Sequence, residues 1–103
     1  MAYVLRFVQE YAMSERARFM ELEARFAEME RRRDGWPVGR RLQPTAGVEP
    51  SNTLIWECEF PTLAGLHAAL EGIETDEEHD ELFAQQSPCI TRVRTEIYET
   101  LDL

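Results

Sequence analysis

Residues 54–70 read LIWECEFPTLAGLHAAL. Over the first seven, Leu54, Trp56, Cys58 and Phe60 alternate with Ile55, Glu57 and Glu59, the period-two pattern of a strand with one dry face. After Pro61, Leu63, Leu66 and Leu70 recur at spacings of three and four, and Ile73 extends the stripe; this is the period of an amphipathic helix. A strand that runs directly into a helix, with matching apolar faces, marks a crossover. Strand three delivers Trp56 to a core, and the leucine stripe covers the same face.

The flanking sequence fills in the remaining elements. Tyr3 to Tyr11 alternates, with Tyr3, Leu5, Phe7, Gln9 and Tyr11 on one face and Val4, Arg6, Val8 and Glu10 on the other. Ser14 offers an N-cap to a helix whose apolar stripe is Phe19, Leu22, Phe26 and Met29. Arg31, Arg32 and Arg33 close that helix where its dipole favours cations, and Gly35 supplies the stop. Trp36 to Pro44 reads as a short second strand bounded by prolines, and residues 45–52 as a turn-rich connection. Thr75-Asp-Glu-Glu78 has the spacing of a capping box, starting a further turn or two of helix that carries Leu82 and Phe83 inward until Pro88. Cys89 to Leu101 alternates again, with Val93, Ile97 and Leu101 on the apolar face. The order β-α-β-β-α-β predicts an α+β, ferredoxin-like fold in a single domain spanning residues 1–103. It has a four-stranded antiparallel sheet in the order four, one, three, two, with the helices on one face. The uncovered face then carries Arg6, Glu10, Glu57, Glu59, Arg92, Arg94 and Glu96 among Val4, Val8 and Ile55.

Composition limits the partners. The chain has 103 residues and a formal net charge of -9, a sign that disfavours nucleic-acid phosphates. All 11 basic residues are arginine, so lysine Schiff-base or lysine general-base chemistry is excluded. No run approaches the roughly 20 apolar residues of a membrane span. MAYVLRFVQEY lacks the features of a signal peptide, so a cytoplasmic location is expected. Cys58 and Cys89 form no CxxC motif, and the strand order separates them too far for a disulfide. No Ser-His-Asp arrangement, Gly-rich phosphate loop or cofactor fingerprint is present, and no cofactor is expected.

AYVLRFVQEY, Gly39-Arg40, LIWECEFPTLAGLHAAL and the late EIYETL together resemble the NIPSNAP-type members of the dimeric α/β barrel superfamily, in which a W-E strand runs into a helix. The resemblance implies a homodimer whose two sheets face each other as a barrel with the helices outside. It also implies a ligand space between sheet and helices. Relatives in that superfamily include cofactor-independent antibiotic-biosynthesis monooxygenases, haem-degrading monooxygenases, chlorite-dismutase-like proteins and muconolactone isomerases. The haem-degrading relatives pair an Asn on strand one with a His near the second helix. Strand one here, Leu5-Arg6-Phe7-Val8, holds no Asn, although His79 falls near the matching His, so haem degradation is disfavoured.

The candidate site residues follow. Trp56, His67, Tyr3 and Tyr11 are candidate ligand contacts, and His67 and His79 are the candidate catalytic groups. Each has a plainer role available: Trp56 as core, His67 as an edge residue, His79 within a solvated acidic helix start. No HExxH spacing exists, and no metal site is expected. Three functions fit, in descending order. The first is a dimer that binds a small apolar or aromatic molecule. The second is a cofactor-independent monooxygenase or isomerase in which His67 or His79 moves protons. The third is a protein-interaction module using the seven acids between Glu71 and Glu81.

Overall fold

A computed structural model describes all 103 residues, Met1–Leu103. Strand β1 (Tyr3–Tyr11) lies at the centre of a sheet ordered β2-β3-β1-β4, with β2 spanning Arg40–Leu42, β3 Thr53–Phe60 and β4 Ile90–Glu99. Every pairing is antiparallel, and Phe7 stands opposite Trp56 on one side and Thr95 on the other. This is the strand order predicted from the alternation pattern. Cys58 and Cys89 are both free, on opposite sides of β1.

The helices form a layer on one face. Helix α1 (Arg16–Arg32) buries the predicted stripe of Phe19, Leu22, Phe26 and Met29. Helix α2 (Leu63–Glu74) packs over β1 and β3 through Leu66 and Ile73. Helix α3 (Glu77–Gln86) packs against α1. The predicted turn or two after Thr75 is thus a ten-residue third helix.

Four local expectations are corrected. Ser14 does not cap α1: it lies in a 3₁₀ turn, Met13–Glu15, and the helix begins with no side-chain cap. The capping box is displaced by one residue, because Asp76, not Thr75, accepts the N–H of His79. The Thr75 hydroxyl instead donates back to the Glu71 carbonyl at the end of α2, where a free carbonyl competes for it. The second strand is only three residues long, and Trp36 lies outside it. Finally, Val93 and Ile97 stay exposed on the helix side of β4, since α2 covers β1 and β3 and leaves the edge strand open.

The core is consequently split. One cluster joins Leu5, Trp56, Leu66 and Ile73; the other joins Tyr11, Phe19, Leu54 and Cys89. Between them lies the middle of β1, where Phe7 and Gln9 are only half-buried.

Candidate functional site

The gap between the two clusters is a cavity of about 340 Å³, open on one side, between sheet and helices. Its walls are aromatic and aliphatic: Phe7, Trp56, Phe26, Phe83 and Trp36, closed at one end by Leu70 and Ile73. Phe7 stacks on Trp56 with ring centroids 5.1 Å apart. Val93 and Thr95 of β4, left uncovered by the helices, form part of the lining. The volume is at the lower end of the range for small-molecule sites, and an apolar lining with a few polar groups is their usual make-up.

The polar groups of the inner wall come from α1, β2 and α3. Glu23 and Glu30, one on either side of Phe26, are only 6% and 5% exposed. Arg41 of β2 bridges them, donating from Nε to Glu23 Oε2 at 2.7 Å and from Nη2 to Glu30 Oε2 at 2.6 Å. Burial works against the charge on Arg41, but its bonds and attraction to Glu30 and Glu23 outweigh that and hold the guanidinium ionised. Trp56 Nε1 donates to both oxygens of Glu30 at 3.2 Å, and the Gly39 N–H reaches Glu30 Oε1 at 3.0 Å. Gly39 lies so close to the Trp56 indole that a Cβ there would overlap the ring. The close approach lets Glu30 bind the backbone just before β2 and the indole together.

Gln86, 1% exposed, completes the inner wall. Its Nε2 donates to Glu23 Oε1 at 2.8 Å, which fixes the amide orientation, because a carboxylate can only accept. Its Oε1 has no partner.

His79 also lines the cavity, its ring against Phe26 and Phe83 at centroid distances of 5.0 and 6.3 Å. Burial lowers its pKa against the pull of Asp80, Asp76, Glu30 and Glu23, so the imidazole is neutral near pH 7 and has one nitrogen able to accept a proton. The Asp76 that caps α3 is held by a bidentate pair from Arg33, 2.7 Å for each bond, and the Arg33 guanidinium lies 4.2 Å from the Trp36 ring centroid. One arginine therefore anchors both the helix that carries His79 and an aromatic wall of the cavity.

The residues singled out from sequence divide as follows. Trp56 and His79 meet at the cavity. His67 lies on the exposed side of α2 and is absent from the lining. The expected pairing of Trp56 with His67 is therefore replaced by Trp56 with His79. The reason is helical phase: Leu66 and Leu70 face the sheet, and His67 points away. Tyr3 packs against the Trp56 cluster outside the lining, and Tyr11 is fully buried against Phe19 at 4.6 Å. Cys58 packs nearby, but burial followed by the charge of Glu30 raises its pKa, which suits a thiol and not a thiolate nucleophile. Sequence reasoning did not single out Glu23, Glu30, Arg41 and Gln86. A signal for the two glutamates exists: they flank Phe26 on the buried side of an amphipathic helix, seven residues apart. No arrangement of three or more His, Cys, Asp or Glu side chains could hold a metal ion, and no helix is long and apolar enough to cross a membrane.

No family profile matches the sequence, and no curated protein sequence is similar to it. Solved structures are similar in fold. A NIPSNAP family protein from Agrobacterium tumefaciens superimposes with a TM-score of 0.78 at 12% identity, covering 98% of this chain and 87% of that one. An uncharacterised NIPSNAP domain protein from Burkholderia xenovorans gives 0.76 at 10% identity, over 98% and 95% of the two chains. A candidate antibiotic biosynthesis monooxygenase from Nitrosomonas europaea gives 0.71 at 15% identity, over 97% and 90%. At these identities the likeness is one of fold. The chain has the ferredoxin-like fold of these NIPSNAP and antibiotic biosynthesis monooxygenase structures.

Proposed function

We propose that this protein binds a small apolar or aromatic molecule in the cavity between sheet and helices, with Trp56 and His79 as contacts. The observation that carries this reading is the split core. A chain of this size has little apolar surface to spare, yet it leaves Phe7, Phe26, Phe83 and both tryptophans around an open space. A ligand there would restore the burial that the gap forgoes, at about 25 cal/mol for each Å² of apolar surface covered.

A homodimer is part of the proposal. The face of the sheet away from the helices carries Arg6, Glu57, Arg94 and Glu96 around Val8, and a second sheet laid over it would form the barrel suggested by the resemblance. A cytoplasmic location is proposed with it. His79 supports a second reading, the cofactor-independent monooxygenase or isomerase. A neutral imidazole in an apolar cavity could take a proton from an acidic C–H or O–H of a bound aromatic substrate.

Both tryptophans of the chain line the cavity, so intrinsic fluorescence reports on occupancy directly. Titration with small aromatic compounds is expected to change the emission and raise Tm. Thr95→Phe, which fills the cavity from its open side, is expected to abolish both responses. A panel that leaves wild-type emission and Tm unmoved would overturn the reading, and so would responses that survive Thr95→Phe.

A further inference from the structure

We infer that the molecule this cavity takes is an amine, bound in its ammonium form with an aromatic or apolar body. The inference rests on the binding function proposed above and specifies its ligand class. It follows from the charge of the lining and from a buried acceptor on its inner wall that has no partner.

The donors of the inner wall are mostly engaged. Arg41 gives three of its N–H groups to Glu23 and Glu30, Trp56 gives its indole N–H to Glu30, and Gln86 gives its amide to Glu23 and the Phe19 carbonyl. A ligand carboxylate or carbonyl reaching this inner wall would compete with bonds that neutralise two buried charges. The buried acceptors are not all committed. Gln86 Oε1 is buried without a partner, and a buried polar atom left unpaired costs about 1–3 kcal/mol. Gln86 lines the cavity, so a small turn of its amide would let a ligand N–H reach that oxygen and relieve the cost.

Charge points the same way. The lining holds Glu23, Glu30, Glu74 and Asp80 against the single guanidinium of Arg41, a formal -3 with His79 neutral. Two of the four are buried and two stand at the rim. A cation entering past Glu74 and Asp80 is attracted throughout, and the faces of Trp56, Phe26 and Trp36 offer it further favourable contacts. An anion of the same size meets repulsion, and the donors left for it, the ring N–H of the neutral His79 and the indole N–H of Trp36, carry no charge to offset it.

The test is a matched series titrated calorimetrically at pH 7: 2-phenylethylamine, 2-phenylethanol and 3-phenylpropionate. The amine is expected to bind at least about tenfold tighter than the alcohol, which amounts to about 1.4 kcal/mol, and the acid is expected to be the weakest. The rim variant Glu74→Gln/Asp80→Asn alters only exposed residues, so folding is not at issue. It should lower amine affinity several-fold and leave the alcohol unchanged; Gln86→Met should narrow the amine-to-alcohol ratio. Alcohol or acid binding as tight as the amine overturns the ammonium assignment and leaves aromatic binding intact. So does a rim variant that weakens all three compounds equally. Failure of all three compounds to bind overturns the binding function itself, and the ligand class with it.

Discussion

The two faces of the sheet both carry charged side chains, but they balance them differently. On the open face, Glu57 is held by two arginines, Arg6 and Arg40, and Arg94 by two acids, Glu49 and Glu96. Burial works against ionisation of Glu57, and the hydrogen bonds from Arg40 and Arg6 more than reverse it. On the helix-covered face two buried glutamates share one arginine that is itself mostly buried. Glu57 is as buried as Glu23, but it has two arginines that stand at the surface, so the loss of one leaves the other in place. Glu23 and Glu30 have only Arg41, so its loss strands two buried charges.

The largest expected effect tests that contrast. Arg41→Met would leave Glu23 and Glu30 buried without a cation and is expected to cost about 3–5 kcal/mol. Arg40, 74% exposed, shares Glu57 with Arg6, so Arg40→Met is expected to cost no more than about 1 kcal/mol. Urea unfolding of the two variants measures both. Comparable losses would remove the distinction between the faces.

Gly39→Ala comes next. The added methyl would overlap the Trp56 ring, which is stacked on Phe7 and hydrogen-bonded to Glu30, so the indole must move. Overpacking of this kind costs about 1–3 kcal/mol, and tryptophan emission should shift with it. At Gly35, φ is +75° and a Cβ meets open space. Gly35→Ala should therefore cost about 1–2 kcal/mol for the left-handed conformation alone, with emission unchanged. A Gly39→Ala protein with wild-type emission would mean that the close approach does not hold the indole.

How far the two faces could be read from sequence differs for the same physical reason. Period-two alternation is a property of the chain, and it places Arg6, Glu57 and Arg94 on the open face whatever lies above them. That alternation and the helical stripes together were enough for the strand order and the helix layer. The cavity depends on where helices sit relative to strands, which no local pattern encodes. Val93 and Ile97 alternate correctly yet remain exposed because the helices pack over β1 and β3 and leave this edge strand largely uncovered. His67 is adjacent to Leu66 in sequence but lies about 100° further around the helix, and that rotation takes it out of the core. Gln9, the one polar residue on the dry face of β1, was the local sign that the core is interrupted there.

A smaller effect separates the cavity's support from its lining. Arg33 holds the Asp76 carboxyl down to about 2, from an ordinary 3.8, with the N–H of His79 assisting. A depressed carboxylate pKa contributes stability that is fully present above pH 4 and is lost as the pH falls through about 2. Asp76→Asn keeps a competent helix cap and removes the ion pair. It should cost about 1 kcal/mol at neutral pH, and the difference from wild type should close between pH 4 and 2. A difference constant across that window would assign the contribution to the cap and not to the charge.

The smallest expected effect concerns the two histidines. His67 is exposed on α2, away from the cavity, so His67→Ala should stay within about 0.5 kcal/mol of wild type and leave the fluorescence titrations unchanged. His79 differs because burial depresses its pKa below 6.5. The unfolded chain therefore binds a proton more readily than the folded one, and wild-type stability should decline as the pH falls below about 6.5, levelling once the folded imidazole is also charged. His79→Gln removes that decline; His67→Ala retains it. Unfolding curves collected from pH 7.5 to 5 distinguish the two variants without any ligand. If the slope vanished with His67→Ala and persisted with His79→Gln, the titrating imidazole would lie outside the cavity, and the proton-accepting role proposed for His79 would go with it.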